Sequence, residues 1–309
     1  MEEYTASPTD LNDMVGLQKL KMDLHSWQSQ HKVIPSALLF HGPVGTGKST
    51  SAHLIGKALL GEHYDANFIE TNGSDDRGIN YVREELKQVM RTKPIGARMK
   101  VILLDEADGL TATAQDAMRR MMETYSSNNL LILTCNDISK IKPAIKSRCA
   151  VYGFPPVNAF QGADRLAEIY GLDNVIPLVK LVQLNNGDMR QSMIFLNSAG
   201  PDYEDRINDL EASMDNSVQH VLADDWLNLR RSFHEQLRMG RGLQAILTNF
   251  YNNMQEHFDD EDNIDSMNDI MVAYGDVLVH RHTWVGDAYS YLDYMVAKMR
   301  KEVKMNDEQ

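Results

Sequence analysis

His41-Gly42-Pro43-Val44-Gly45-Thr46-Gly47-Lys48-Ser49-Thr50 fits the pattern G-x-x-x-x-G-K-[ST] of a phosphate-binding loop. Before it, Ala37-Leu38-Leu39-Phe40 is wholly apolar, as a parallel strand covered on both faces must be. After it, Ala52, Ile55, Ala58 and Leu59 recur at helical spacing, and Gly61 stands where a left-handed cap ends the last turn. Strand, glycine loop and helix are the α/β context this motif requires. Gly42, Gly45 and Gly47 let the backbone curl until several N–H groups face one phosphate, with the positive helix end behind them. Lys48 then neutralises the β and γ phosphates and Ser49 ligates magnesium, while Pro43, Val44, Thr46 and Thr50 complete the cradle. The expected cofactors are ATP and Mg2+.

A chain of 309 residues is long enough for two or three domains. No apolar run approaches the roughly eighteen residues of a membrane span, and Met1-Glu2-Glu3-Tyr4 is unlike a signal peptide, so a cytoplasmic protein without membrane contact is expected. Two cysteines, Cys135 and Cys149, are too few for a disulfide framework or a structural zinc site. The net charge of −13 argues against wholesale coating of nucleic acid, yet its distribution is uneven. Residues 256–270 carry seven acids and no lysine or arginine, which reads as a solvated loop. Residues 77–100, by contrast, hold Arg77, Arg83, Lys87, Arg91, Lys93, Arg98 and Lys100 against Glu84 and Glu85.

In chain order, Leu17, Leu20 and Leu24 predict a first helix running to about His31, and Asn67-Phe68-Ile69-Glu70 predicts a second strand. A helix is expected from near Gly78, with Ile79, Val82, Leu86, Val89 and Met90 as its apolar stripe. Arg83, Lys87 and Arg91, spaced i, i+4, i+8, form a row able to follow a phosphate backbone; a plain solvated flank has the same periodicity. Val101-Ile102-Leu103-Leu104 runs straight into Asp105-Glu106-Ala107-Asp108, and acids at the carboxyl end of a parallel strand sit in the crevice where α/β ligands bind. Asp105 is expected to hold magnesium and Glu106 to polarise the attacking water, with Asp108 as a cap or ion-pair partner. Ala114, Ala117, Met118, Met121, Met122 and Tyr125 mark an amphipathic helix whose Gln115, Arg119 and Arg120 fall outside the stripe, free to contact a neighbour or ligand. Leu130-Leu131-Ile132-Leu133-Thr134 is another buried strand, and it delivers Asn136 to the edge that holds Asp105. Val151-Tyr152 reads as the last strand, and Pro155-Pro156 as the first domain boundary. Beyond 203 the pattern is helical, with Trp226, Leu227, Leu229, Phe233, Leu237, Leu243, Ile246, Leu247, Phe250 and Tyr251 available for a core.

Taken together, GPVGTGKST at 42–50, NGSDDRGINYVRE at 72–84, LLDEAD at 103–108, TATAQDAMRRMMETYS at 111–126, LTCND at 133–137, KSRC at 146–149 and GDMR at 187–190 resemble the ATPase subunits of sliding-clamp loaders. The chain looks like the replication factor C small subunits of archaea and eukaryotes and, more distantly, the ATPase subunit of phage loaders, all AAA+ proteins. The resemblance covers residues 1 to about 200. It implies an AAA+ P-loop ATPase domain with a parallel sheet over 1–155, a helical lid over 156–202 and an all-helical collar for oligomerisation over 203–309. Asn136 is then the sensor of the γ phosphate, Arg148 an arginine finger acting in trans on the adjacent subunit's ATP, and Arg190 a second sensor. Gln115 couples the nucleotide and DNA sites, Arg77, Arg83 and Lys87 bind DNA, and Ile95 and Met99 lie near the clamp. The implied partners are other clamp-loader subunits (copies of this chain and a distinct large subunit), a sliding clamp and primer-template DNA. In this scheme ATP binding opens the clamp and hydrolysis releases it on DNA. A ring motor such as a branch-migration helicase uses the same core, but its aromatic, glycine-bearing pore loop is not evident. Tyr4-Thr5-Ala6-Ser7-Pro8 lacks the basic residues of the family's usual Lys-Tyr-Arg-Pro element, Val44 replaces a usual proline, and the short spacing from Arg148 to Arg190 implies a trimmed lid.

Overall fold

The computed structural model describes residues 8–73, 86–239, 241–256, 264–279, 284 and 286–307. Two compact units divide the chain, Thr5–Arg165 and Leu166–Gln309.

The first unit is built on strands β1 (Ala37–His41), β2 (Phe68–Asn72), β3 (Lys100–Asp105), β4 (Asn129–Cys135) and β5 (Ala150–Gly153). They form one sheet in the order β2-β3-β4-β1-β5, with every neighbouring pair parallel. Because side chains alternate along a strand, each apolar run feeds two cores. Leu39, Ile102, Leu104, Leu131 and Leu133 face one side, where Leu86, Met90, Met118, Met121 and Met122 pack on them. Leu38, Phe40, Val101, Leu103, Leu130 and Ile132 face the other, against Leu20, Leu24, Trp27, Ala52, Leu54 and Ile55. The covering helices are α1 (Gln18–Gln28), α2 (Lys48–Leu60), a single turn α3 (Tyr64–Asn67), α4 (Lys87–Arg91), α5 (Ala112–Thr124) and a short α6 (Pro143–Lys146). Helix α5 starts on Thr111, whose side chain accepts the N–H of Ala114, and buries its methionines.

Helix α7 (Ala159–Tyr170) leads into the second unit, which is wholly helical among the described residues: α8 (Val175–Leu184), α9 (Met189–Ala199), α10 (Tyr203–Leu222), α11 (Trp226–Arg238), α12 (Leu243–Glu256), α13 (Ile264–Val279) and α14 (Ala288–Asp307). Trp226, Leu229, Phe233, Ile246, Leu247, Phe250, Tyr274 and Tyr291 form its core. The buried Tyr274 and Tyr291 hydroxyls donate to the Leu247 and Val277 carbonyls at 2.7 and 2.9 Å, so neither polar tip is left unmade. Buried Arg241 and Asn249 both donate to the carbonyl of Leu184, satisfying the carboxyl end of α8.

Three expectations need correction. Leu227 is 55% exposed rather than core, because it lies on the outer side of α11 from Trp226 and Phe233. The acidic stretch is not loop throughout, since α13 begins at Ile264. Lys100 belongs to no basic surface: its ammonium turns inward to the Val89 carbonyl and the Thr92 hydroxyl, and burial lowers its pKa. No helix among the described residues is long and apolar enough to cross a membrane. Arg77 and Arg83 lie outside the described residues.

Candidate active site

Parallel strands present their carboxyl ends at one edge, and the motif residues gather there. Phe154 donates its N–H to the His41 carbonyl at 2.7 Å, bringing the backbone past β5 close to the exit of β1. Gly42 answers this approach, since a Cβ there would stand 1.9 Å from the Phe154 carbonyl oxygen. Gly47 caps α2 at φ +91°, a conformation that favours glycine, with the tip of Met14 over it. Between them Thr46 donates to the Pro43 carbonyl at 2.9 Å and tightens the loop.

Lys48 is 8% exposed, and its ammonium is held by the carbonyls of Gly42 and Pro43 at 2.8 and 2.7 Å and by the Asn136 amide oxygen at 2.9 Å. Loop, helix and the exit of β4 thus converge on one cation. Beside it, the Ser49 hydroxyl donates to the Asp105 carboxylate, 2.9 Å from each oxygen. Asp105 also accepts from the Thr134 hydroxyl, and that same oxygen of Thr134 accepts the N–H of Glu106 at 3.1 Å. Glu106 adopts φ +53°, ψ +45°, uncommon for a residue with a side chain. Asp108 is neither a helix cap nor, among the described residues, an ion-pair partner. Its carboxylate accepts the consecutive N–H groups of Asn136 and Asp137 at 3.2 and 3.1 Å, fixing the loop that carries Asn136.

These residues fit magnesium and a triphosphate. Glycine at 42, 45 and 47, all at positive φ, keeps side chains out of the concavity, and the thirteen-residue α2 points its positive end at it. Ser49 and Asp105 supply hard oxygen donors. Among the described residues no group of three or more His, Cys, Asp or Glu is placed to hold a metal. Magnesium, which keeps several waters beside one or two carboxylates and the phosphates, needs no such group.

Arg148 is exposed, and its guanidinium donates to Glu123 and to the Ala144 carbonyl, away from the phosphate loop. Glu123 is shared with Arg119 at 3.1 Å. Arg190 is the second residue of α9, in the helical unit, and is exposed. Lys87 and Arg91 are exposed on α4, and Ile95 is 67% exposed while Met99 packs partly into the core. Gln115 is not free, as its position outside the apolar stripe led us to expect. It is 3% exposed, donating to the carbonyls of Leu110 and Lys140 and accepting the N–H of Lys142. Thr134 and the Glu123–Arg148 pair were not singled out from the sequence, because those partners lie 25 to 29 residues apart and no local pattern marks them.

The fold and the phosphate loop define the class: residues 38–156 match the family described as ATPase family associated with various cellular activities, so the chain carries an AAA ATPase domain. Within that class it belongs to the replication factor C small-subunit family. It is 37% identical over 270 residues to the replication factor C small subunit of Methanocella arvoryzae, covering 82% of this chain and 83% of that protein. It is 44% identical over 204 residues to that of Archaeoglobus fulgidus, covering 64% of this chain and 63% of the relative. With the replication factor C small subunit 1 of Pyrobaculum islandicum it shares 40% identity over 197 residues, and the match spans 59% of that relative. Among solved structures, a point variant of Thermotoga maritima RuvB superposes with a TM-score of 0.52 at 16% identity, over 65% of this chain and 71% of that one, a likeness of fold.

Proposed function

We propose that this chain is an ATPase subunit of a sliding-clamp loader, with residues 1–155 as its ATPase domain, 156–202 as lid and 203–309 as collar. The observation that carries the reading is the convergence of Lys48, Asn136, Ser49 and Asp105 through bonds of 2.9 Å in a chain of this family. Bound magnesium-ATP supplies a phosphoanhydride that water can cleave. Lys48 and the loop N–H groups would neutralise the phosphate charge, Ser49 and Asp105 would hold the metal, and Glu106 would orient and polarise the attacking water. Asn136 senses the γ phosphate, and Arg190 closes the lid on it.

Arg148 serves the nucleotide of the adjacent subunit. Its contact with Glu123 is a surface pair worth on the order of 0–1 kcal/mol, weak enough to open when subunits meet. Gln115, which ties the start of α5 to the segment that leads into α6, couples the nucleotide and DNA sites. Arg77, Arg83 and Lys87 contact primer-template phosphates without reading sequence. ATP binding then favours an assembly holding an open clamp, and hydrolysis ends that state.

The test is the steady-state ATPase rate of the purified chain alone, with primer-template DNA, and with DNA and a sliding clamp together. Stimulation by both, abolished in Arg148→Ala while ATP still binds, is the expected result. Full stimulation by DNA with no effect of the clamp would instead favour a ring motor.

A further inference from the structure

The hydrolytic role proposed for Glu106 depends on where its backbone stands, and that backbone is held in a conformation a glutamate disfavours. At φ +53°, ψ +45° the residue is left-handed, a region that non-glycine residues occupy only when their surroundings impose it. Three contacts impose it here. The Glu106 carbonyl accepts the N–H of Gly109 at 2.9 Å, closing the turn behind it. Gly73 lies so close that a Cβ on it would stand 2.8 Å from that same carbonyl oxygen. In front, the Glu106 N–H donates to the Thr134 hydroxyl oxygen at 3.1 Å.

The third contact differs from the other two because Thr134 has a second bond to make. A hydroxyl has one proton and two lone pairs. Thr134 gives its proton to Asp105 and takes the Glu106 N–H on a lone pair, so a single oxygen fixes both acids relative to each other. It comes from the strand next to theirs, one residue past Leu133, which is paired with Leu104. It is 1% exposed, so both of its hydrogen bonds are made within the protein.

We propose that Thr134 is a positioning residue for hydrolysis: its buried hydroxyl locks Glu106 in the left-handed turn and aligns it with Asp105. This rests on the reading of Glu106 as the group that activates water. Thr134 itself reaches no reacting atom and acts through the two acids. Valine matches threonine in shape and can make neither bond, whereas serine can make both.

The experiment uses the full chain in its most active assembly and compares Thr134→Val, Thr134→Ser and Glu106→Gln for ATP affinity, kcat and KM. Thr134→Val is expected to lose up to about a hundredfold in kcat, the scale for a reacting group displaced by an ångström, with any change in magnesium-ATP affinity through Asp105 smaller than that loss. Thr134→Ser should recover most of that loss. If Thr134→Val melts too early to assay, Thr134→Ala is measured in its place. Wild-type kcat in the hydroxyl-less variant overturns the positioning role, as does an equal loss in Thr134→Ser or a fall confined to ATP affinity. The Glu106→Gln arm separates the two levels. An inactive Glu106→Gln beside an unimpaired Thr134→Val sinks the positioning role alone, whereas a fully active Glu106→Gln sinks the reading of Glu106 and the positioning role with it.

Discussion

Gln115 shows how much a single buried side chain holds in this ATPase domain. Its amide answers three backbone groups, two carbonyls at 3.2 and 3.0 Å and one N–H at 2.9 Å, while the side chain itself is 3% exposed. Truncating it removes all three bonds, of which the one to the Leu110 carbonyl is fully buried, and an orphaned buried polar group costs about 1–3 kcal/mol. Gln115→Ala should therefore lower unfolding stability by roughly 2–4 kcal/mol in urea melts, since neighbouring backbone relaxes enough to recover part of the loss. An unchanged midpoint would mean that these bonds are not maintained in solution. The same residue marks a limit of sequence reading. Helical periodicity separates apolar from polar faces but cannot tell a polar side chain that meets solvent from one that meets buried backbone, so Gln115 read as free, and a count of charges along the chain has the same limit for Lys100. Lys48, Ser49, Asp105, Glu106 and Asn136 were legible because loop and strand-end motifs mark them locally. The bridge from Asp105 and Glu106 to Thr134 was not, because it is made between strands.

At the level of elements, what placed the site was the apolar content of three short runs. Residues 37–40, 101–104 and 130–133 are apolar without alternation, the signature of strands with both faces covered, and each became β1, β3 or β4 with its polar successor at the shared edge. The order β2-β3-β4-β1-β5 was not readable, because which strands become neighbours depends on how the connecting helices pack, not on any strand's own composition. One junction of that order is unforgiving. Where β1 leaves the sheet, Gly42 passes β5's exit so closely that any side chain meets the Phe154 carbonyl at 1.9 Å. Backbone cannot swing aside as a side-chain tip can, so Gly42→Ala must separate β1 from β5 and is expected to cost roughly 3 kcal/mol or more, at the upper end of overpacking effects. Gly47→Ala makes the informative comparison. Its Cβ would meet only the flexible end of Met14, at 2.2 Å, so the cost there is chiefly the strain of a side chain at φ +91°, which loosens the loop: nucleotide affinity should fall with a smaller loss of stability. Thermal melts and ATP titrations of the two variants check this, and equal melting temperatures would refute the close-approach account of Gly42.

For the whole molecule, the telling quantity is how its acids are held. The net charge of −13 conceals carboxylates fixed by specific donors in each unit. In the α/β unit the Lys32 ammonium at 2.7 Å, with the Tyr152 hydroxyl at 2.8 Å, holds the Asp23 carboxyl below its usual range. In the helical unit Arg230 grips Asp293 with two bonds at 2.6 and 2.7 Å, His234 adds a third, and the Asp293 carboxyl is likewise lowered. A carboxyl whose folded pKa is depressed stabilises the fold above its unfolded pKa, about 3.9, and loses that contribution as pH falls through the folded value. Since each unit has its own core, calorimetry should resolve two transitions, and both should move to lower temperature on acidification from about pH 4 downward. Asp23→Asn should lower only the transition of the α/β unit at pH 7, by a few degrees for a charged bond of about 1.5–3 kcal/mol, and Asp293→Asn only that of the helical unit. Each deficit should shrink as pH drops, because the wild-type carboxyl is then itself neutral. A deficit that persists unchanged at pH 3 would show that packing, not charge, sets it, and a variant that moves both transitions would show that the two cores melt as one.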